Sequence, residues 1–178
     1  MRATRLSVIG GLLLLLGSSP NLVAQHRPAD DRPRHDDAAL AAVGIHRYAS
    51  RRLVLYSDID PAVARTLPPL IDAAYPAWEA YFGPLPAAED GSDFQLTGYL
   101  MRDRGLFRET GLLPEDLVEF QHGRHRGYRF WMAEQDYDYY RRHLLIHEGT
   151  HCYMMIQPFP TRPPLYYLEG MAELFGTH

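Results

Sequence analysis

Apolar residues recur along this chain in two rhythms, a period of two and a period of 3.6, and the switches between them divide it into elements. Arg52-Leu53-Val54-Leu55-Tyr56-Ser57 is a compact aliphatic and aromatic run that predicts a strand. Asp60-Pro61 follows, an N-cap with proline at the first helical position. Leu67, Leu70, Ile71, Ala74, Trp78 and Phe82 then keep helical spacing up to Gly83-Pro84, so one long helix to about Phe82 is expected, its stripe serving the core. Phe94 to Met101 predicts a second strand, with Phe94, Leu96, Gly98 and Leu100 on one face. Leu113 to Phe120 predicts a short helix and Tyr128 to Ala133 a third strand. Asp136 is the expected N-cap of a helix from Tyr137 to Gln157. Leu144, Leu145, Cys152, Met155 and Ile156 spread apolar surface over much of its circumference, which predicts burial. Gly149 inside it costs about 1 kcal/mol relative to alanine, which points to close approach by a neighbour.

The two ends of the chain read differently. Met1-Arg2-Ala3-Thr4-Arg5, the apolar stretch Leu6 to Leu16 and the small residues to Ala24 have the form of a secretory signal peptide over residues 1–24, and imply an exported protein: periplasmic, cell-envelope or extracellular. The apolar stretch is too short to span a bilayer and no cysteine stands near the cleavage region for lipid attachment, so no stable membrane anchor is expected. Residues 25–44 are rich in Asp, Arg, His, Pro and Ala and predict a flexible linker, which leaves residues 45–178 as a single domain. Nothing in the sequence specifies an oligomeric state.

Charge excludes one function class. Eighteen basic residues, all arginine, face 22 acidic ones, and the net charge of −4 argues against a nucleic-acid partner. The local cluster His122-Gly123-Arg124-His125-Arg126 reads as a solvated hairpin loop or as a guide for an acidic substrate. Cys152 is the only cysteine, so this exported chain has no internal disulfide, and its helical direction points it into packing.

The chemistry concentrates in His147-Glu148-Gly149-Thr150-His151. At about 100° per residue the two histidines lie only about 40° apart around the helix, so both rings reach one tetrahedral ion, with Glu148 flanking it to take a proton from water. Zinc requires a further protein ligand. Leu168-Glu169-Gly170-Met171-Ala172-Glu173 predicts a second helix with its glutamates on one face, and the proline-rich link Pro158 to Pro164 ends the first helix and folds the chain back. A link this short makes the helices neighbours and lets Glu169 reach the same ion. The metzincin pattern is excluded, because Met154 and Gln157 stand where it requires Gly and His. His143 lies on the far side of His147 from His151 and is expected to make a local hydrogen bond.

HExxH followed about eighteen residues later by Glu-Gly-x-Ala resembles the gluzincin, or peptidase MA-like, zinc metallopeptidases. The resemblance implies an α+β zincin-like fold: a small mixed or antiparallel sheet on the HExxH helix, with a following helix carrying the third ligand. It implies His147, His151 and Glu169 as ligands of one Zn2+, Glu148 as general base, and Glu173 as a carboxylate behind His147 that orients its ring. It also implies a peptide or protein substrate, and an edge strand at Tyr128 to Ala133 along which an extended substrate aligns; an ordinary core strand is the other reading of that segment. Members of the family carry a further C-terminal subdomain, with a Tyr or His that stabilises the oxyanion. Only five residues follow Glu173, so the chain reads as a shortened or fragmentary member in which Tyr153, Tyr166 and Tyr167 are the remaining donors, each also readable as a packing aromatic. The expectation is therefore a secreted zinc metallopeptidase, with a zinc-binding but inactive domain as the alternative.

Overall fold

The fold is known from a computed structural model, which describes residues 32–177 except Glu89, Pro160 and Arg162. The expected signal peptide lies outside the described residues. In chain order the elements are α1 (Asp37–Ala42), β1 (His46–Ala49), β2 (Leu53–Ser57), α2 (Pro61–Ala64), α3 (Pro68–Phe82), β3 (Leu96–Met101), α4 (Arg104–Glu109), β4 (Gly123–Arg126), β5 (Arg129–Ala133), α5 (Asp138–Ile156) and α6 (Leu165–Gly176). This is a mixed α+β fold built on a five-stranded mixed sheet of order β1-β2-β3-β5-β4. The three inner strands run parallel, and β1 and β4 are antiparallel additions at the two edges.

Each sheet face has its own core. On one, Leu53, Leu55, Leu96, Leu100, Phe130 and Met132 pack against Ile71 and Trp78 of α3 and Leu144, Leu145 and Cys152 of α5. On the other, Val54, Tyr56, Tyr99, Met101 and Trp131 meet Leu40 of α1 and Phe107 of α4. The alternation along β2, β3 and β5 therefore feeds both layers, and all five residues of β2 are buried. Gly98 belongs to the α5 face, as its period-two position predicts, and its missing side chain makes room for Phe130: a Cβ there would lie 2.5 Å from the ring Cζ.

Several expectations are corrected. The linker does not extend to residue 44, because residues 37–42 form α1: Asp36 caps it by accepting from the amides of Ala38 and Ala39, and Leu40 is buried. The helix expected from Asp60 to Phe82 is two helices, since Pro68 and Pro69 lack the N–H groups needed to bond back to Ala64 and Arg65, and Pro68 opens α3 instead. No helix forms at Leu113 to Phe120. Backbone carbonyls around that segment accept from side chains, Leu112 O from the Trp131 indole at 2.7 Å and Phe120 O from Arg104 at 2.8 Å, while the helix sits earlier, at α4, capped by Asp103. At the start of α5 the N-cap position is Tyr137, not Asp136, and it makes no side-chain cap bond.

The basic cluster at His122 to Arg126 is not a loop. Residues 123–126 form β4, joined to β5 by the two-residue turn Gly127-Tyr128, in which Gly127 takes the positive φ of 58° that a type II′ hairpin asks of its first residue. The sheet edge beside α5 is therefore β4, while β5, for which an edge strand and an ordinary core strand were the two readings, is an interior strand between β3 and β4. Phe130, Trp131 and Met132 are buried accordingly.

Candidate metal centre

The α5 helix carries the histidines because it is wedged against the sheet by its apolar arc and fixed from the far side by α3. A Cβ on Gly149 would lie 2.9 Å from Ile71 Cδ1 and 3.0 Å from Trp78 Cη2, so the neighbour that Gly149 admits is α3. The α6 helix is held against α5 by Met154, Leu168 and Met171, with Phe82, Phe159 and Phe175 around them. At its C-terminal end Gly176 comes down on His143, where a Cβ would stand 3.1 Å from the His143 carbonyl. With Leu168, Met171 and Ala172 turned inward, Glu169 and Glu173 are left facing the α5 histidines.

Three ligand atoms converge. His147 Nε2 is 3.1 Å from His151 Nε2. Glu169 Oε2 is 3.5 Å from the first and 3.4 Å from the second. A tetrahedral ion with bonds of about 2.0–2.1 Å needs ligand atoms about 3.3–3.4 Å apart, so this triangle has the size and the N,N,O donor set that zinc takes. The structure thus brings together His147, His151 and Glu169, residues that could hold a metal ion. His151 is also in the right protonation state. Burial first, and then the electrostatic influence of His125, His147 and Arg124, push its pKa down to about 3, leaving the neutral imidazole that ligation requires.

Glu173 stands behind His147, its Oε1 3.6 Å from Nδ1, while its Oε2 lies 3.3 Å from His143 Nε2. One carboxylate thus faces two imidazoles, and the partner of His143 is an acidic residue of α6 rather than the local hydrogen bond expected of it. Cys152 is fully buried in the core and its Sγ lies 3.6 Å from Arg129 O.

Glu148 is 4% exposed although it is a carboxylate, and β4 covers it. A Cβ on Gly123 would overlap Glu148 Oε1, so only glycine lets the strand pass this close. Glu148 Oε2 lies 3.3 Å from His125 Nδ1, and the His125 ring stacks on His151 with centroids 4.4 Å apart and planes at 20°. Together Gly123, His125, His147, Glu148 and Glu169 line an open cleft of about 370 Å³. Tyr140 completes a wall of it, stacked on His143 with centroids 5.7 Å apart.

Sequence reasoning did not single out His125, Gly123 or Tyr140 for this site. Tyr140 carried a usable signal, because positions 140, 143, 147 and 151 recur at helical spacing on one face of α5. Of the proposed oxyanion donors, Tyr153 is fully buried and its hydroxyl donates to Gly83 O at 2.7 Å, and Tyr166 is 81% exposed. Neither of them nor Tyr167 lines the cleft. Comparison with known protein families, with curated proteins and with solved structures gives no match to this chain.

Proposed function

We propose that the chain is an exported zinc-dependent peptidase of the gluzincin type, with a zincin-like fold, His147, His151 and Glu169 as its metal ligands and Glu148 as its general base. The observation that carries this reading is the triangle of His147 Nε2, His151 Nε2 and Glu169 Oε2, with edges of 3.1, 3.4 and 3.5 Å, beside a buried carboxylate. A zinc ion, when bound, supplies Lewis-acid chemistry that acidifies water and polarises a carbonyl. Glu148, on the same helical turn as both histidines, takes a proton from the attacking water. It then returns that proton to the amine that leaves as the peptide C–N bond breaks. Among the described residues no strand pairs with the outer edge of β4, which runs along the cleft and suits an extended peptide bound by strand addition. Among the described residues no helix is long and apolar enough to cross a membrane.

The test is hydrolysis of an unstructured polypeptide by the purified protein, with metal content measured in parallel. One zinc per chain, turnover abolished by chelator, and loss of turnover but retention of zinc in Glu148→Gln are expected. Zinc-loaded protein that cleaves nothing sinks the reading.

A second reading is a zinc-binding domain without turnover. It is favoured by the placement of Tyr153, Tyr166 and Tyr167 away from the cleft, which leaves none of these three to stabilise an oxyanion. It predicts stoichiometric zinc and a chelator-sensitive melting temperature with no cleavage.

A further inference from the structure

Resting on the hydrolase reading, we propose that His125 is the positioning residue of Glu148: its Nδ1–H donates to Glu148 Oε2 and fixes the carboxylate toward the cleft. Glu148 is almost wholly buried, and a buried carboxylate is costly unless donors satisfy it. Among the described residues the side chain that hydrogen-bonds to it is His125, at 3.3 Å. Its other oxygen is boxed in by Gly123, whose Cα leaves no room for a side chain or for rotation of the carboxylate in that direction.

The direction of His125 is set by the sheet. His125 lies opposite Phe130 in the antiparallel pairing of β4 with β5, and residues directly opposite point to the same face. Phe130 is fully buried in the core shared with α5, so His125 must also face α5. Stacking on His151 then holds its ring, with the planes within 20° of parallel. The ring is pinned by register on one side and by a ligand's face on the other, so Nδ1 is delivered to Glu148.

The arrangement fixes a tautomer. With its proton on Nδ1 toward the carboxylate, Nε2 carries the lone pair. A general base works only when its oxygen stays within hydrogen-bond reach of the proton it takes, and misplacement by about 1 Å costs on the order of 100-fold in rate. His125 contributes that constraint from β4, its ring braced on His151 of the helix that holds the proposed ligands.

Three substitutions test the assignment, because the side-chain nitrogen of Asn can stand where Nδ1 stands, whereas that of Gln reaches farther and Ala has none. His125→Ala and His125→Gln are expected to lower kcat about 10- to 100-fold, with KM within about threefold and one zinc retained. His125→Asn is expected to recover activity to within about threefold of wild type. A spectroscopic arm needs no turnover: ring-nitrogen NMR of the zinc-loaded wild type should show His125 as the Nδ1–H tautomer, and Glu148→Ala should return it to the Nε2–H form. An active wild type matched by His125→Ala overturns the proposal, as does loss of zinc in that variant or a His125 tautomer indifferent to Glu148→Ala. Absence of hydrolysis in the wild type overturns the hydrolase reading instead, and the NMR arm still decides whether His125 holds Glu148.

Discussion

Gly149 of α5 and Trp78 of α3 meet with no side chain between them, the indole Cη2 lying 3.0 Å from where a Gly149 Cβ would stand. Trp78 and Ile71 are both fully buried, so neither has room to withdraw. This contact sets the distance of the His147–His151 turn from the rest of the core. Gly149→Ala gains about 1 kcal/mol of helix propensity but forces overpacking that costs about 1–3 kcal/mol. A net loss of about 1 kcal/mol, seen as a lower midpoint in urea unfolding with an unchanged m-value, is the expected result. A more stable Gly149→Ala would mean that α3 yields.

Metal should be worth stability as well as chemistry. An ion that binds only the folded chain adds about 2.7 kcal/mol when free at 100 times its Kd. Calorimetry with and without chelator should show that increment in the wild type and none of it in His147→Ala.

The metal-free protein should weaken in acid in a defined window. His151 titrates near 3 when folded and near its ordinary value of 6.5 when unfolded. Between those values the unfolded chain holds the extra proton, so stability rises with pH there and is lost as pH falls below about 6.5. The contribution of this group approaches about 1.4 kcal/mol per pH unit inside the window and vanishes above it. Chelator-treated His151→Asn, measured by denaturant unfolding from pH 4 to 8, should show the shallower slope.

Glu173 offers a graded test of the carboxylate behind His147. Removing such an outer partner typically costs 10- to 100-fold in metal affinity, so Glu173→Ala should weaken zinc binding by about that much in a competition titration. Glu169→Ala removes a proposed ligand and should weaken it further. Equal affinity for Glu173→Ala and wild type would reduce the 3.6 Å approach to His147 to a surface contact.

The convergence of His147, His151 and Glu169 was legible in the sequence because each step is short-range: an i, i+4 spacing on one helix, then a proline link too short to carry the next helix away. The inner strands β2, β3 and β5 were legible for a similar reason, since burial on both faces leaves continuous apolar runs. What stayed hidden depends on partners distant in sequence. Gly123-Arg124-His125-Arg126 has no apolar alternation, and only pairing to β5 makes it a strand. The α1 helix offers a single core residue, Leu40, within a polar stretch, and its meaning appears only when β1 and β2 lie beneath it. The break between α2 and α3 was readable from Pro68-Pro69, but a continuous apolar stripe masked it.

The turn at Gly127-Tyr128 has a consequence for what counts as a functional residue here. Side chains on a strand alternate between faces, so a shift of β4 by one residue against β5 would turn His125 outward and bring an arginine toward Glu148. A single insertion or deletion in that turn would leave His147, His151 and Glu169 untouched and still rewrite the wall of the cleft. The length of a two-residue loop, with no chemistry of its own, is thus as much a part of the design of the cleft as any imidazole.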